Sequence, residues 1–417
     1  MKRKLAAVLS MAMVLGTLAA PVMGVSAEEE KTVVTIFHHI GEQAARDAMD
    51  AICAALEEKY PDVDYEMQGM DQSQFDNMLK TKLVGGDVPD LVMGVPKLYK
   101  DLIEAGHFQD ITDEDFVQNF DPELIESLKI DGKLYSVPYN GGGMGVFYNK
   151  KVFEENGLEI PKTHEEMMEV AQTIQDSGIY AFARGFQDGW PAECEIQADL
   201  YGTFQMENPT IFADIQSGEK KFSDYPGFYD VMERTKERLS FESGDTFGTD
   251  AAKARAMLIN GEAGMFIGGD WDTTEFINAG AGEDIGFFPL PGNTEGEPVL
   301  GFAPRGFYMV TSASEHKEEA INFIEFLTSD EGMEIYQQYS TFIPYNANSD
   351  TSELPSLVQD WLKPVAEGNY YNYEAEDIFT GQYDATFRTW QEEFAADEER
   401  NVDEFIENLD EQMAAIG

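Results

Sequence analysis

Two cysteines, Cys53 and Cys194, are all that this 417-residue chain holds. At most one bridge is possible, so a disulfide scaffold is excluded. Cys53 falls on the apolar face of a helix read over Ala44–Glu58 and is expected as a buried thiol. Basic residues are scarce too: 28 Lys and Arg stand against 79 Asp and Glu, a formal net charge of −51. Such a surface repels nucleic acid and anionic lipid, which both depend on neutralisation by Lys and Arg. Nucleic acid is therefore set aside as a partner. Beyond the first twenty or so residues no stretch is long and apolar enough to cross a bilayer. Solenoid-period repeats and low-complexity linkers are missing, as are a Gly-x-Ser-x-Gly elbow, His-Glu-x-x-His, a P-loop and calcium-loop spacing. Carboxylate pairs suited to a glycosidase arise by chance among so many acidic residues and carry no weight. No catalytic residue, metal ligand or cofactor is nominated, and an enzyme is not expected.

What is present starts at the N-terminus. Lys2, Arg3 and Lys4 precede an apolar run from Leu5 to Ala20, and Val25-Ser26-Ala27 supplies small residues before Glu28. This is the order of a secretory signal peptide, residues 1–27, so an exported chain is expected. The remainder is longer than one compact core usually holds, which predicts two domains.

Thr32–Phe37 reads as a strand, the following helix stops before Tyr60-Pro61, and Val63–Met67 reads as the next strand. Phe75–Val84 is a helix closed by Gly85-Gly86, and Pro89–Met93 a buried strand. Strands alternating with helices imply a parallel α/β sheet, whose ligand sits beyond the strand carboxyl ends. That puts His38, His39, Met70, Asp71, Met93 and Gly94 near a cleft. Farther along, the apolar segment Leu134–Tyr139 ends in Asn140 and three glycines, Gly141–Gly143, before a second segment, Met144–Tyr148. Glycine tolerates dihedrals other residues resist, as a hinge between lobes needs. Pro161 and a Thr163–Glu166 capping box then start a helix. The middle of the chain is more helical. Phe302–Thr311 returns as a strand-like run, and the last region carries aromatic clusters and an acidic amphipathic helix.

Several segments carry a resemblance. They are Lys59-Tyr60-Pro61-Asp62-Val63, Gly85 to Leu91 (GGDVPDL), Gly132 to Pro138 through Tyr148-Asn149-Lys150, Ile259 to Met265 with Gly269-Asp270-Trp271, and Ala320 to Ser329. In this order and spacing they resemble the extracellular solute-binding proteins of ABC importers, the family that includes maltose-binding protein. The resemblance implies an α/β, periplasmic-binding-protein-like fold of two lobes joined by crossing strands, with the ligand cleft between them. Lobe one would span residues 28–140 and 307–344, and lobe two 141–306 and 345–417. It also implies a carbohydrate ligand, transmembrane permease subunits as partners, a monomer and no cofactor. Many relatives carry a lipid-attachment cysteine at the signal end. This chain has Val25-Ser26-Ala27-Glu28 there, which suits a periplasmic or freely secreted protein.

A sugar presents apolar C–H faces and many hydroxyls, so its site needs flat aromatics beside carboxylates, amides and Arg. The aromatic candidates are Trp271, flanked by Asp270 and Asp272, then Trp190, Tyr345 and Trp390. Among polar residues, Asp71, Asn140, Arg184, Asp270 and Arg305 are the candidates, with His38, His39 and Glu42 from the first strand end. Adjacent residues on a strand point to opposite faces, so chelation of a metal by both histidines is not expected, and whether one of them faces the cleft stays open. Two other solutes stay open: a polyamine, which the acidic surface would suit, and ferric ion, for which Tyr370-Tyr371 resembles the paired tyrosines of some relatives, although its place amid a helix-packing aromatic cluster argues against it.

Overall fold

The computed structural model describes residues 31–292, 296–340, 354–373 and 378–416; the predicted signal peptide and Tyr345 lie outside them. The described strands are β1 (Thr32–His38), β2 (Val63–Gly69), β3 (Leu91–Met93), β4 (Asn140–Asn149), β5 (Tyr180–Phe182), β6 (Ala263–Gly269), β7 (Ile285–Phe288), β8 (Leu300–Arg305), β9 (Tyr308–Val310) and β10 (Tyr370–Tyr371). They form two sheets, and the chain has a two-lobed α/β architecture.

The smaller sheet has the order β2-β1-β3-β9. Its first three strands are parallel, as the strand–helix alternation predicts, but β9 joins antiparallel to β3. Helix Gln43–Lys59 turns Ala44, Ala48, Met49, Ile52, Cys53 and Leu56 inward, the stripe an amphipathic helix uses to cover a sheet. The Pro89-Asp90 motif is structural. Buried Asp90 accepts from the Thr35 N–H and hydroxyl, at 2.8 Å each, and from the Ser314 hydroxyl at 2.5 Å. These bonds tie three segments far apart in sequence into one lobe.

The larger sheet runs β10-β8-β4-β6-β5, with β7 also on β4. Its centre is antiparallel, β4 against β6, β7 and β8. One apolar core centres on Trp361 and a second, mostly helical one on Phe222, Phe228 and Trp390. The Thr163–Glu166 capping box forms as expected at the start of helix His164–Asp176.

Two expectations are corrected here. Phe302–Thr311 is not one strand: β8 ends in the larger sheet, Gly306 turns with φ 68°, and β9 enters the smaller sheet. Gly141–Gly143 do not form a loop of unusual dihedrals. They lie inside β4, opposite Pro304, Ala303 and Phe302, and none has a positive φ. Crowding explains them instead. A Cβ on Gly143 would overlap the Gly301 carbonyl oxygen, and one on Gly142 the Asp270 carboxylate. Leu134–Tyr139 approaches from the smaller sheet's side, where the Ser136 hydroxyl donates to the Tyr308 carbonyl at 2.8 Å and the Tyr139 N–H to the Gly306 carbonyl at 3.0 Å. The chain thus passes between the sheets at 139–140 and again at 305–308.

Candidate functional site

β6 ends at Gly269 and helix Asp270–Asn278 begins at once, so Asp270 and Trp271 project from its first turn. Trp190 opens helix Trp190–Asp199 and meets Trp271 edge to face, with ring centroids 5.5 Å apart. Both indoles are only partly buried. Arg305, the last residue of β8, places its guanidinium carbon 5.1 Å from the Trp271 ring centroid. Its Nη1 donates to the Tyr373 hydroxyl at 2.8 Å, and Tyr373 stacks on Tyr201 with centroids 4.4 Å apart and planes within 5°. Tyr201 belongs to a π-helical turn, Leu200–Phe204, a form of turn that recurs at functional sites. Asn140 is the ladder partner of Arg305. Its side-chain oxygen accepts from the Gly141 N–H.

Asp270 is electrostatically unusual. Burial pushes its carboxyl up to about 6, against the pull of Arg305 and of the Asp270 and Gly143 N–H groups. Arg305 Nε stands 3.6 Å from its Oδ1, and that buried oxygen has no hydrogen-bond partner among the described residues.

A second, charged pole lies on helix Gly381–Ala396. Asp384, Arg388 and Glu392 share one face at i, i+4 spacing. Arg388 Nε lies 3.4 Å from Asp384 and 3.6 Å from Glu193. Burial first, with Glu392 and Asp384 adding, pushes Glu193 up to about 7 despite Arg388. The smaller sheet's side supplies Tyr99, whose hydroxyl donates to Asp76 at 2.8 Å, and His39, edge-on to Phe75 at 4.9 Å. Burial lowers the His39 pKa, and the charges of Arg388 and Arg305 lower it further while Asp76 raises it. His39 thus lies within electrostatic range of Arg305 and Arg388, and Asp76 within range of Arg388, across the two sheets. Glu42 similarly raises Asp270 from the smaller sheet's side.

The nominated residues therefore separate. His39, Glu42, Asn140, Trp190, Asp270, Trp271 and Arg305 converge, while Asp71 lies exposed at the start of helix Gln72–Gly85. The placement of four others is a correction. Trp390 is fully buried and its indole N–H donates to the Phe405 carbonyl, because its helix face packs the mostly helical core around Phe228. Arg184 is buried against Glu195, the Phe241 and Arg238 carbonyls and Ser243. Asp272 is fully buried, caps its helix by accepting from the Gly269 N–H, and pairs with Arg255 at 2.5 Å. His38 faces inward, with Nδ1 accepting from the Ile40 N–H. Tyr345 lies outside the described residues. Sequence reasoning missed Tyr201, Tyr373, Asp76, Asp384, Arg388 and Glu193. Only the Asp384–Arg388 spacing gave a signal, and it lay within a stretch read as helix packing.

Comparison with known proteins agrees with this geometry. The bacterial extracellular solute-binding protein family matches residues 41–334, and the chain belongs to that family, a family of binding proteins. It is 30% identical over 379 residues to the osmoprotective compounds-binding protein GgtB of Synechocystis, covering 86% of this chain and 87% of that one. It is 23% identical over 369 residues to the multiple sugar-binding protein of Streptococcus mutans, covering 85% and 86%. A chitin oligosaccharide binding protein shares the fold with a TM-score of 0.78 at 21% identity, covering 92% of this chain and 98% of its own. Among the described residues no helix is long and apolar enough to cross a membrane.

Proposed function

We infer that this protein binds a saccharide between its lobes and delivers it, chemically unchanged, to the membrane subunits of an ABC importer. The observation that carries this reading is the cluster of Trp190, Trp271, Arg305 and Asp270. It sets flat indole surface beside charged hydrogen-bonding groups, the combination that sugar rings and hydroxyls require. The name of the Streptococcus relative supports it, as does a raffinose complex that shares the fold. In this reading the lobes are residues 28–140 with 307–344, and 141–306 with 345–417. The protein acts as a monomer outside the cytoplasmic membrane, in a periplasm or at the cell surface. A solute touched by both lobes shifts the population towards closure, with His39, Glu42 and Asp76 closing over the Trp271 side.

A thermal-shift screen with raffinose, stachyose, maltotriose and chitin oligosaccharides tests this. A specific ligand at a hundredfold excess over Kd adds roughly 2.7 kcal/mol of stability. No shift with any saccharide, alongside stabilisation by spermidine or ferric salt, would replace the reading with one of those solutes. Turnover of an oligosaccharide would make the protein a glycosidase.

A further inference from the structure

Arg305 is anchored through Nη1 on the Tyr373 hydroxyl at 2.8 Å and stands beside two further groups, Trp271 and Asp270. Its guanidinium is 5.1 Å from the Trp271 ring centroid, while its Nε stops 3.6 Å from Asp270 Oδ1, beyond a direct hydrogen bond. The Asp270 side chain is only 8% exposed, and Oδ1 is without a hydrogen-bond partner among the described residues. Such an unfilled acceptor is costly. Trp271 meets Trp190 at near right angles, and its six-membered ring lies against Gly269. The side under Arg305 is then the approach for a stacking ring.

We propose that Arg305 is a placeholder: a sugar ring replaces the guanidinium over Trp271, and the displaced guanidinium closes onto Asp270 Oδ1. This rests on the saccharide reading of the same site and adds that Arg305 sets affinity by leaving the indole, not by gripping the ligand. A cation and a C–H face compete for one π-surface, so the lost cation–π contact is subtracted from ligand affinity. The charge-assisted bond formed with Asp270 returns part of it. Specificity follows, because a linear polyamine has no ring with which to displace the guanidinium.

Two measurements test the proposal. The first needs no ligand: acrylamide quenching of tryptophan fluorescence in the wild type, R305A, R305Q and R305K, each with and without W271F to isolate Trp271. Loss of the covering cation should raise the Trp271 quenching constant about twofold in R305A and R305Q, with R305K between. An unchanged constant overturns the proposal. The second is calorimetric titration with raffinose or maltotriose, whichever stabilises the wild type more. R305A should bind about threefold to thirtyfold more tightly. D270A should weaken binding when Arg305 is present and leave it unchanged in the R305A background. Weaker binding by R305A, or an equal loss from D270A in both backgrounds, means these groups grip the ligand directly and overturns the proposal. If neither sugar binds, the titration moves to whichever saccharide of the screen stabilises the wild type; if none does, the saccharide reading fails on its own, and quenching still decides whether Arg305 covers Trp271.

Discussion

The two lobes bury polarity in different ways. Around the smaller sheet, buried Asp90 is satisfied by an N–H and two hydroxyls, all uncharged. Around the larger sheet, a chain of ions runs through the interior. Arg184 donates to Glu195 at 2.8 Å, Arg238 to Asp199 at 3.1 Å, and Arg234 grips Asp199 with two bonds of 2.9 and 2.6 Å. The network pins helix Trp190–Asp199, which begins with Trp190 and carries Glu193, against helix Pro226–Leu239. Buried ion pairs are weak evidence of net stability, but breaking one strands a charge in a low-dielectric interior. The contrast teaches that the lobe carrying the stacking aromatics is also the more vulnerable to single polar substitutions. Its binding face is held by pairs that cannot be half removed.

Asp199→Ala should give the largest effect. It leaves Arg234 and Arg238 without their shared carboxylate and should cost about 3–5 kcal/mol in denaturant unfolding. Asp90→Ala strands only neutral donors and should cost about 1–3 kcal/mol; an equal or greater loss there would break the comparison. Gly143→Ala probes the strand that leads into the larger sheet. Its Cβ meets backbone, not a flexible side chain, so a loss of about 3 kcal/mol is expected, read as a lower melting temperature. Trp271→Ala should separate binding from folding. Saccharide affinity should fall about tenfold to hundredfold, with little change in unfolding, because the ring is only partly buried.

The pH-dependent effect belongs to the smaller lobe. Burial, with the like charges of His39 and Arg46 adding, lowers His38 from 6.5 to about 4. The unfolded chain takes up this proton below 6.5 while the folded one refuses it until about 4. Stability is therefore lost as pH falls through that window and is untouched above it. Relative to His38→Asn, the wild type should lose roughly 2 kcal/mol between pH 7 and 5. A gap between the two that stays constant with pH would contradict this.

Much of the smaller sheet was legible because its strands and helices are local. Val34, Ile36 and Leu91 are wholly buried, and helix Gln43–Lys59 shows its stripe in the sequence itself. Trp271 and Asp270 were legible because they follow a glycine-rich strand end. Trp390 and Arg184 misled because an indole or a guanidinium looks the same in a list whether it lines a cleft or fills a core. Arg388 was passed over because its partner Glu193 is far away in sequence.

By itself, the order of residues determined an acidic, two-lobed α/β chain, where the smaller sheet's first three strands and the Thr163 cap lie, and which aromatic residue follows the glycines of β6. Periodicity, turn residues and charge act over a few positions, so they can be read in one dimension. The tertiary structure alone decided that Arg305 lies over Trp271 and short of Asp270, that Arg388 and Glu193 meet, and that Gly142 and Gly143 answer to crowding. Each of these is a contact between distant segments, set by how two sheets and their helices exclude one another's volume.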